Sequence, residues 1–260
     1  MNDSPSPGRT PSLSPEFHPE APERKPLGAG KATLVFVLWV FTGVVVAGVT
    51  FALYEAIQGD AQGAIEDPRS GLPHVSAAVG AIAGGAVLLA LTRAFVPAPT
   101  MKAALARVGF VKVRARALGA AAFVGVVIAL ITVGVQVLFP PGEGFEDPLS
   151  QMASVPGWPR ILFVFVVIVV APLEEELLFR GVMYTGFVRS TGKWVAAVLV
   201  TVLFAAGHYY GYWPATAMVL VVGAAMLAVR VKTGSLWPAV ALHFSYNLLY
   251  MVAFYLFPGL

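Results

Sequence analysis

Residues 171–180 read APLEEELLFR: three consecutive glutamates and an arginine lie between two long apolar runs. A carboxylate near the middle of a bilayer costs at least ~2.5 kcal/mol on insertion scales, so a glutamate there marks a functional site and needs a polar partner. Both the fold and the function therefore depend on which other polar groups of the chain can reach these glutamates.

The composition is typical of a polytopic membrane protein. Of the 260 residues, 58% are hydrophobic and 12% are charged, and the mean hydropathy is +0.78. A soluble domain would have roughly 25% charged residues. The net charge of +3 arises from Lys and Arg in short loops between apolar runs, which membrane topology explains better than nucleic-acid binding. The chain has no cysteine, which excludes disulfides, thiolate catalysis and Cys-ligated metals.

The apolar runs predict an all-α fold, a transmembrane bundle of seven to eight helices. Residues 1–31 contain seven prolines and no apolar run, so we expect a disordered N-terminal tail. A break of the fourth apolar run at Pro172 would create the eighth helix, because proline removes a backbone donor. The predicted spans are 33–56, 73–95, 118–139, 160–188, 194–210, 213–230 and 235–257.

The distribution of charge in the loops predicts the orientation. The segment near 100–116 contains five basic residues and no acid, so we expect an amphipathic segment on the cytoplasmic membrane surface. The loops 57–72 and 140–159 are mainly acidic and would be extracytoplasmic. The N-terminus is then cytoplasmic. Residues 32–157 form the N-terminal group of helices, and residues 158–260 contain the polar groups described next.

Polar residues in the last four predicted spans share helix faces. Glu176 and Arg180 are four residues apart and can pair, and His243 and Asn247 have the same spacing. His243 lies about ten residues beyond the turn near 232–234, which is about 15 Å into the membrane at 1.5 Å per residue. This depth is close to that of the glutamates.

A helical hairpin would bring Glu175 and His208 to the same depth. If a turn near 190–193 joins the spans 160–188 and 194–210, the centre of this hairpin lies midway between Glu175 and His208 in the sequence. The two residues can then face each other. A carboxylate, two imidazoles and a carboxamide in one cavity can activate water against a carbonyl group. Glu175 would be the general base. The second imidazole, of His243, and the Asn247 amide can donate to an oxyanion.

Three motifs follow one another on consecutive predicted helices: E-E-x-x-x-R (Glu175, Glu176, Arg180), F-x-x-x-H (Phe204 to His208) and H-x-x-x-N (His243 to Asn247). Together they resemble the CPBP family of intramembrane proteases, which includes the type II CAAX prenyl proteases and the bacterial Abi proteins. The resemblance covers about residues 160–255, so that residues 158–260 would be the catalytic core.

The resemblance implies a role for each matching residue. Glu175 and His208 would activate the water, and His243 and Asn247 would stabilise the oxyanion. Glu176 and Arg180 would position the site and the substrate. The chain would be an integral protein of the bacterial inner membrane. Its partners would be the lipid bilayer and a membrane-anchored or lipidated substrate, a CAAX-type protein being one candidate, with no nucleic acid.

Two features of the motif region leave alternatives open. Glu174 is an additional glutamate without a role, because counting back five residues from Arg180 reaches Glu175. The second open question is whether Glu175, His208 and His243 bind a zinc ion. The chain lacks H-E-x-x-H, and these ligands would leave no obvious base except Glu176. We therefore favour a mechanism without a cofactor.

The leading hypothesis is an intramembrane endopeptidase that uses water activated by a glutamate and a histidine. A proton-coupled transporter, with Glu175 and the histidines as a relay, is the first alternative. The chain has no internal repeat, which argues against a transporter built from inverted halves. A non-catalytic membrane scaffold, such as a bacteriocin-immunity protein, is the second alternative.

Overall fold

The structure is a computed structural model that describes residues 26–58, 71–142, 156–209 and 211–256. These residues form eight helices and no strand, which confirms the predicted all-α bundle. The proline-rich tail up to residue 25 and most of both acidic loops lie outside the described residues. The helices are α1 (Ala29–Gln58), α2 (Leu72–Phe95), α3 (Met101–Val108), α4 (Ala115–Leu138), α5 (158–191), α6 (Lys193–Ala206), α7 (Trp213–Thr233) and α8 (Trp237–Leu256).

Five of the helices are long and apolar enough to cross a membrane: α1, α2, α4, α7 and α8. They correspond to five of the seven predicted spans. The helix α6 has 14 residues, so it extends about 21 Å and is shorter than the ~30 Å hydrocarbon core. The predicted span 194–210 was too long, because the helix ends at Ala206 and Gly207 is its C-cap. His208 therefore lies in the turn beyond α6.

The helix α5 continues through Pro172, so the predicted alternative of a break and an eighth span there is wrong. An α-helical segment, Ala171–Glu175, lies between two π-helical segments, Val166–Val170 and Glu176–Met183. In the π pattern residue 172 would bond to the carbonyl of Val167, but proline has no N–H. The side-chain amide of Asn247 donates to this carbonyl instead, at 2.8 Å. A bond from a neighbouring helix thus replaces the one that proline cannot form.

The basic segments of the chain meet at one end of the bundle, which we call the basic end. Arg189, at the end of α5, donates to the carbonyl of Leu27 at 3.4 Å. The N–H of Leu236, between α7 and α8, donates to the carbonyl of Gly109 beside α3 at 2.8 Å. The end of α5 thus contacts the start of α1, and the turn between α7 and α8 contacts the end of α3.

The absence of cysteine from the chain makes the orientation directly testable. We expect Gly142→Cys, just after α4, to react with a membrane-impermeant maleimide in intact cells. Val111→Cys, at the basic end, should react only after lysis, because basic loops stay in the cytoplasm. Labelling of Val111→Cys but not of Gly142→Cys in intact cells would show the opposite orientation. The cysteine-free parent protein measures the background.

Candidate active site

Four of the polar residues singled out in the sequence line one cavity of about 210 Å³. Its walls are formed by α4, α5, α6, α7 and α8 and by the turn after α6. On α5, Glu175 is the last residue of the α-helical segment, just before the second π-helical segment begins. Four of the predicted catalytic and oxyanion-binding residues line the cavity: Glu175, His208, His243 and Asn247.

The carboxylate of Glu175 lies between the two histidines. Its Oε2 atom is 3.7 Å from Nε2 of His208 and 3.8 Å from Nε2 of His243. These distances are too long for direct hydrogen bonds. The Oε2 atom is buried and has no hydrogen-bond partner among the described residues. A buried carboxylate oxygen needs a donor, and a water molecule about 2.8 Å from all three atoms would supply one.

Hydrogen bonds on the far side of each imidazole determine which nitrogen carries the proton. Nδ1 of His208 is 2.8 Å from the carbonyl oxygen of Phe204, which only accepts, so this Nδ1 is protonated. Nδ1 of His243 is 3.1 Å from Oε1 of Glu176, and a carboxylate also accepts. In each neutral ring, Nε2 is then an acceptor that faces Glu175. Three acceptors therefore converge, and a water molecule between them can donate to two of the three at a time.

Glu176 and Arg180 form a buried ion pair behind the histidines. Nη1 of Arg180 donates to Oε1 of Glu176 at 2.9 Å, and both side chains are 0% exposed. Nη2 donates to the carbonyl oxygen of Gly223 on α7 at 3.0 Å. The guanidinium carbon lies 4.1 Å from the ring centroid of Phe204, within the range of a cation–π contact. The pair is thus held by α5, α6 and α7 together.

One comparison with known proteins matches the part of the chain that contains these residues. Residues 156–249 match the family model described as type II CAAX prenyl endopeptidase Rce1-like. This segment belongs to that family. The Rce1-like segment contains all three motifs on which the resemblance rests, so the predicted CPBP/CAAX protease family is confirmed.

The Rce1-like segment is only part of the chain. A curated relative, an uncharacterized 24.3 kDa protein of Escherichia coli, is 34% identical over 124 residues. The alignment covers 45% of this chain and 56% of that protein, so the chain spans about half of its relative's length. No solved structure is significantly similar to the chain.

Asn247 has a structural contact that its motif does not indicate. Its Nδ2 atom donates to Val167 of α5, and its side chain also lines the cavity. A carboxamide has two N–H donors, so one can hold α5 beside α8 while the other faces the cavity. Ser245, two residues earlier, donates to the carbonyl of Ala122 on α4 at 2.9 Å. This serine packs α8 against α4 and does not reach Glu175.

Glu174 contacts the N-terminal helices and not the cavity. Nε1 of Trp39 on α1 donates to Oε2 of Glu174 at 3.4 Å. The Glu174 side chain fills the space where a Cβ atom on Gly85 of α2 would stand. The role that sequence analysis left open is therefore packing: Glu174 attaches α1 and α2 to the Rce1-like segment.

The proposed zinc ligands have the correct types but not the correct spacing. In a tetrahedral site with bonds of 2.0–2.1 Å, neighbouring ligand atoms are about 3.3 Å apart. The two separations in this structure, from Oε2 of Glu175 to Nε2 of each histidine, are 3.7 and 3.8 Å. In the described parts of the chain, no group of three His, Cys, Asp or Glu residues could hold a metal ion. The arrangement of Glu175, His208 and His243 therefore does not fit zinc.

Sequence analysis missed two parts of the site. The first is a polar wall from α4 and α8, in which Gln136 donates to the Tyr250 hydroxyl at 2.7 Å and both side chains line the cavity. The helix α4 lies outside the Rce1-like segment, and no sequence motif indicated that its side chains line the cavity. The second is the contact of Gly223 with Arg180 and Phe204. A glycine inside an apolar helix was the available signal for it.

Substitution of Gly223 tests the packing around the ion pair. A Cβ atom at this position would be 3.1 Å from the Phe204 ring and 3.3 Å from Nη2 of Arg180. We expect Gly223→Ala to destabilise the protein by about 1–3 kcal/mol, because overpacking shifts neighbouring groups. Thermal unfolding of the purified protein measures this loss. Gly134→Ala on α4 is the matched control, since it meets nothing within 4 Å. Equal unfolding temperatures for wild type and Gly223→Ala would contradict the assignment.

Proposed function

We propose that the protein is an intramembrane endopeptidase that hydrolyses a peptide bond with a water molecule activated by Glu175 and His208. The observation that carries the proposal is the convergence of Glu175 Oε2 with the Nε2 atoms of His208 and His243. The Rce1-like family of residues 156–249 supports a protease of the CAAX type. A membrane-anchored or lipidated protein is the substrate class that fits an active site inside a helical membrane bundle.

The reaction begins with the ionised Glu175 and the neutral His208. The water donates one hydrogen bond to Glu175 Oε2 and one to His208 Nε2, which orients a lone pair of its oxygen toward the substrate. As the water oxygen adds to the carbonyl carbon, its proton passes to Glu175, which acts as general base. The carbonyl π electrons move to the oxygen and form an oxyanion.

His243 and Asn247 can donate hydrogen bonds to this oxyanion. The second N–H of the Asn247 amide can donate to the oxyanion without any change of protonation. Because the Nδ1 proton of His243 is directed at the carboxylate of Glu176, His243 can donate from Nε2 only when both of its nitrogens carry protons. When the oxyanion collapses, the C–N bond breaks and the leaving amine takes the proton from Glu175. The products are a carboxylic acid and an amine.

The polar wall of the cavity is suited to a peptide backbone. The Gln136 amide uses Nε2 on Tyr250, so its carbonyl oxygen can accept from a substrate N–H. Tyr246 on α8 donates to Thr132 on α4 at 3.4 Å, and this bond holds the two helices of the wall together. The opposite wall is apolar, with Val219 and Val222 of α7. We propose that an extended substrate lies between these walls with its scissile carbonyl at Glu175.

Removal of the base charge tests the proposal. We expect Glu175→Gln to lower kcat for cleavage of membrane-anchored and lipidated peptides by about 10²–10⁴, the contribution of general acid–base catalysis. The assay is cleavage of a peptide panel by purified protein in liposomes. Glu174→Gln is the matched control, since its carboxylate contacts α1 and α2, and it should keep most of the activity.

Two other results would contradict the proposal. No cleavage of any peptide by the wild-type protein, with equal cellular phenotypes of wild type and Glu175→Gln, would indicate a scaffold. Proton-coupled uptake of a solute by the liposomes, lost in Glu175→Gln without peptide cleavage, would indicate a transporter.

Metal removal tests the mechanism separately. Because the donor spacing does not fit zinc, we expect activity to persist after dialysis against a strong chelator. Metal analysis of the active protein should find less than one zinc per chain. Loss of activity that only added zinc restores would contradict a mechanism without metal.

A further inference from the structure

A second concave surface lies between α6 and α7, with a volume of about 690 Å³. We call it the lateral groove. Small side chains are among its lining residues: Ala197 and Thr201 are four residues apart on α6, and Ala224 and Ala228 are four residues apart on α7. Each pair therefore lies on one helix face. The lateral groove shares no lining residue with the active-site cavity.

Positive charge is present at one end of the lateral groove only. Lys193 is the first residue of α6, and Lys232 is next to last in α7. Because the two helices are antiparallel neighbours, both lysines lie at the basic end of the bundle. Nζ of Lys193 is 5.3 Å from the ring of Trp194, and tryptophan is enriched at membrane interfaces. No acidic side chain is among the described residues that line the groove.

The length of the groove corresponds to one leaflet of the bilayer. On α6 it extends from Lys193 to Val202, which is about 14 Å at 1.5 Å per residue. On α7 it extends from Leu220 to Lys232, which is about 18 Å by the same rise. Half of the hydrocarbon core measures about 15 Å. An acyl chain that begins at the lysines would end near the bilayer midplane.

We propose that the lateral groove binds one anionic phospholipid of the leaflet at the basic end, with its phosphate between Lys193 and Lys232. One acyl chain lies along the small side chains of α6 and α7. The concave shape and the two lysines among its lining residues are the features that favour an anionic lipid here. The ligand also compensates for the length of α6, which is too short to cross the hydrocarbon core alone. The proposal is independent of the proposed proteolysis.

Trp194 provides the measurement, because its indole lines the groove. The full-length protein is reconstituted in phosphatidylcholine vesicles that contain 10% phosphatidylglycerol, with bromine on the acyl chains of either lipid. The quenching of Trp194 is the difference between the wild type and Trp194→Phe. We expect brominated phosphatidylglycerol to bind next to Trp194 roughly tenfold more strongly than brominated phosphatidylcholine, since each lysine near the surface favours an anionic lipid.

Charge variants locate the preference. Lys193→Gln with Lys232→Gln should reduce the binding of phosphatidylglycerol to that of phosphatidylcholine, whereas arginine at both positions should preserve the preference. Lys102→Gln with Arg107→Gln removes the same charge from the exposed face of α3 and should leave the preference unchanged. All variants are compared with vesicles that contain no bromine, so that a direct effect of residue 193 on Trp194 cancels.

Three results would overturn the proposal. Equal quenching by both lipids in the wild type would mean that only bulk bilayer lipid contacts the groove. Equal loss in the α3 variant would mean a general effect of surface charge. Displacement of brominated phosphatidylglycerol by a prenylated peptide, but not by the same peptide without its prenyl group, would identify the occupant as the lipid of a substrate.

Discussion

The site depends on the buried ion pair between Glu176 and Arg180. Burial of two charges costs free energy, which further hydrogen bonds to the pair reduce. Arg180 donates to the Gly223 carbonyl and lies against the face of Phe204, and Oε1 of Glu176 also accepts from Nδ1 of His243. Nε of Arg180 and Oε2 of Glu176 have no hydrogen-bond partner among the described residues. The ion pair therefore does more than hold α5 against α7. By accepting from Nδ1, Glu176 leaves Nε2 of His243 as the atom that faces Glu175, and so determines how the site can bind water.

Three consecutive glutamates can serve three different neighbours because successive residues of a helix point about 100° apart. Glu174 faces the N-terminal helices, Glu175 the cavity, and Glu176 the interior of the bundle. The π-helical segments on either side of Ala171–Glu175 alter this rotation locally, and π segments are frequent at functional sites. In the segment Val166–Val170, Pro172 cannot donate a backbone hydrogen bond to the carbonyl of Val167. The amide of Asn247 donates to this carbonyl instead. A motif residue of α8 thus helps to maintain the unusual shape of α5.

The sequence was sufficient to predict features that depend on local order. Five of the seven predicted spans followed from apolar length, and the approach of Glu175 to His208 followed from equal distances along a hairpin. Features that depend on packing between distant helices were not predictable. The contact of Trp39 with Glu174 requires the crossing point of α1 and α5, and the continuity of α5 at Pro172 requires a donor from α8. Gly223 carries no side chain, so only the approach of Arg180 and Phe204 shows why α7 has a glycine there.

The helix α7 connects the two concave surfaces of the protein. Val219 and Val222 line the active-site cavity, while Leu220 and Ala224 line the lateral groove. Gly223 lies between them and holds Arg180 through its carbonyl oxygen. A rotation of α7 about its axis would move both walls and this carbonyl together, because close-packed helices transmit small shifts. The ion pair that orients His243 is therefore joined through one helix to the surface that faces the lipid.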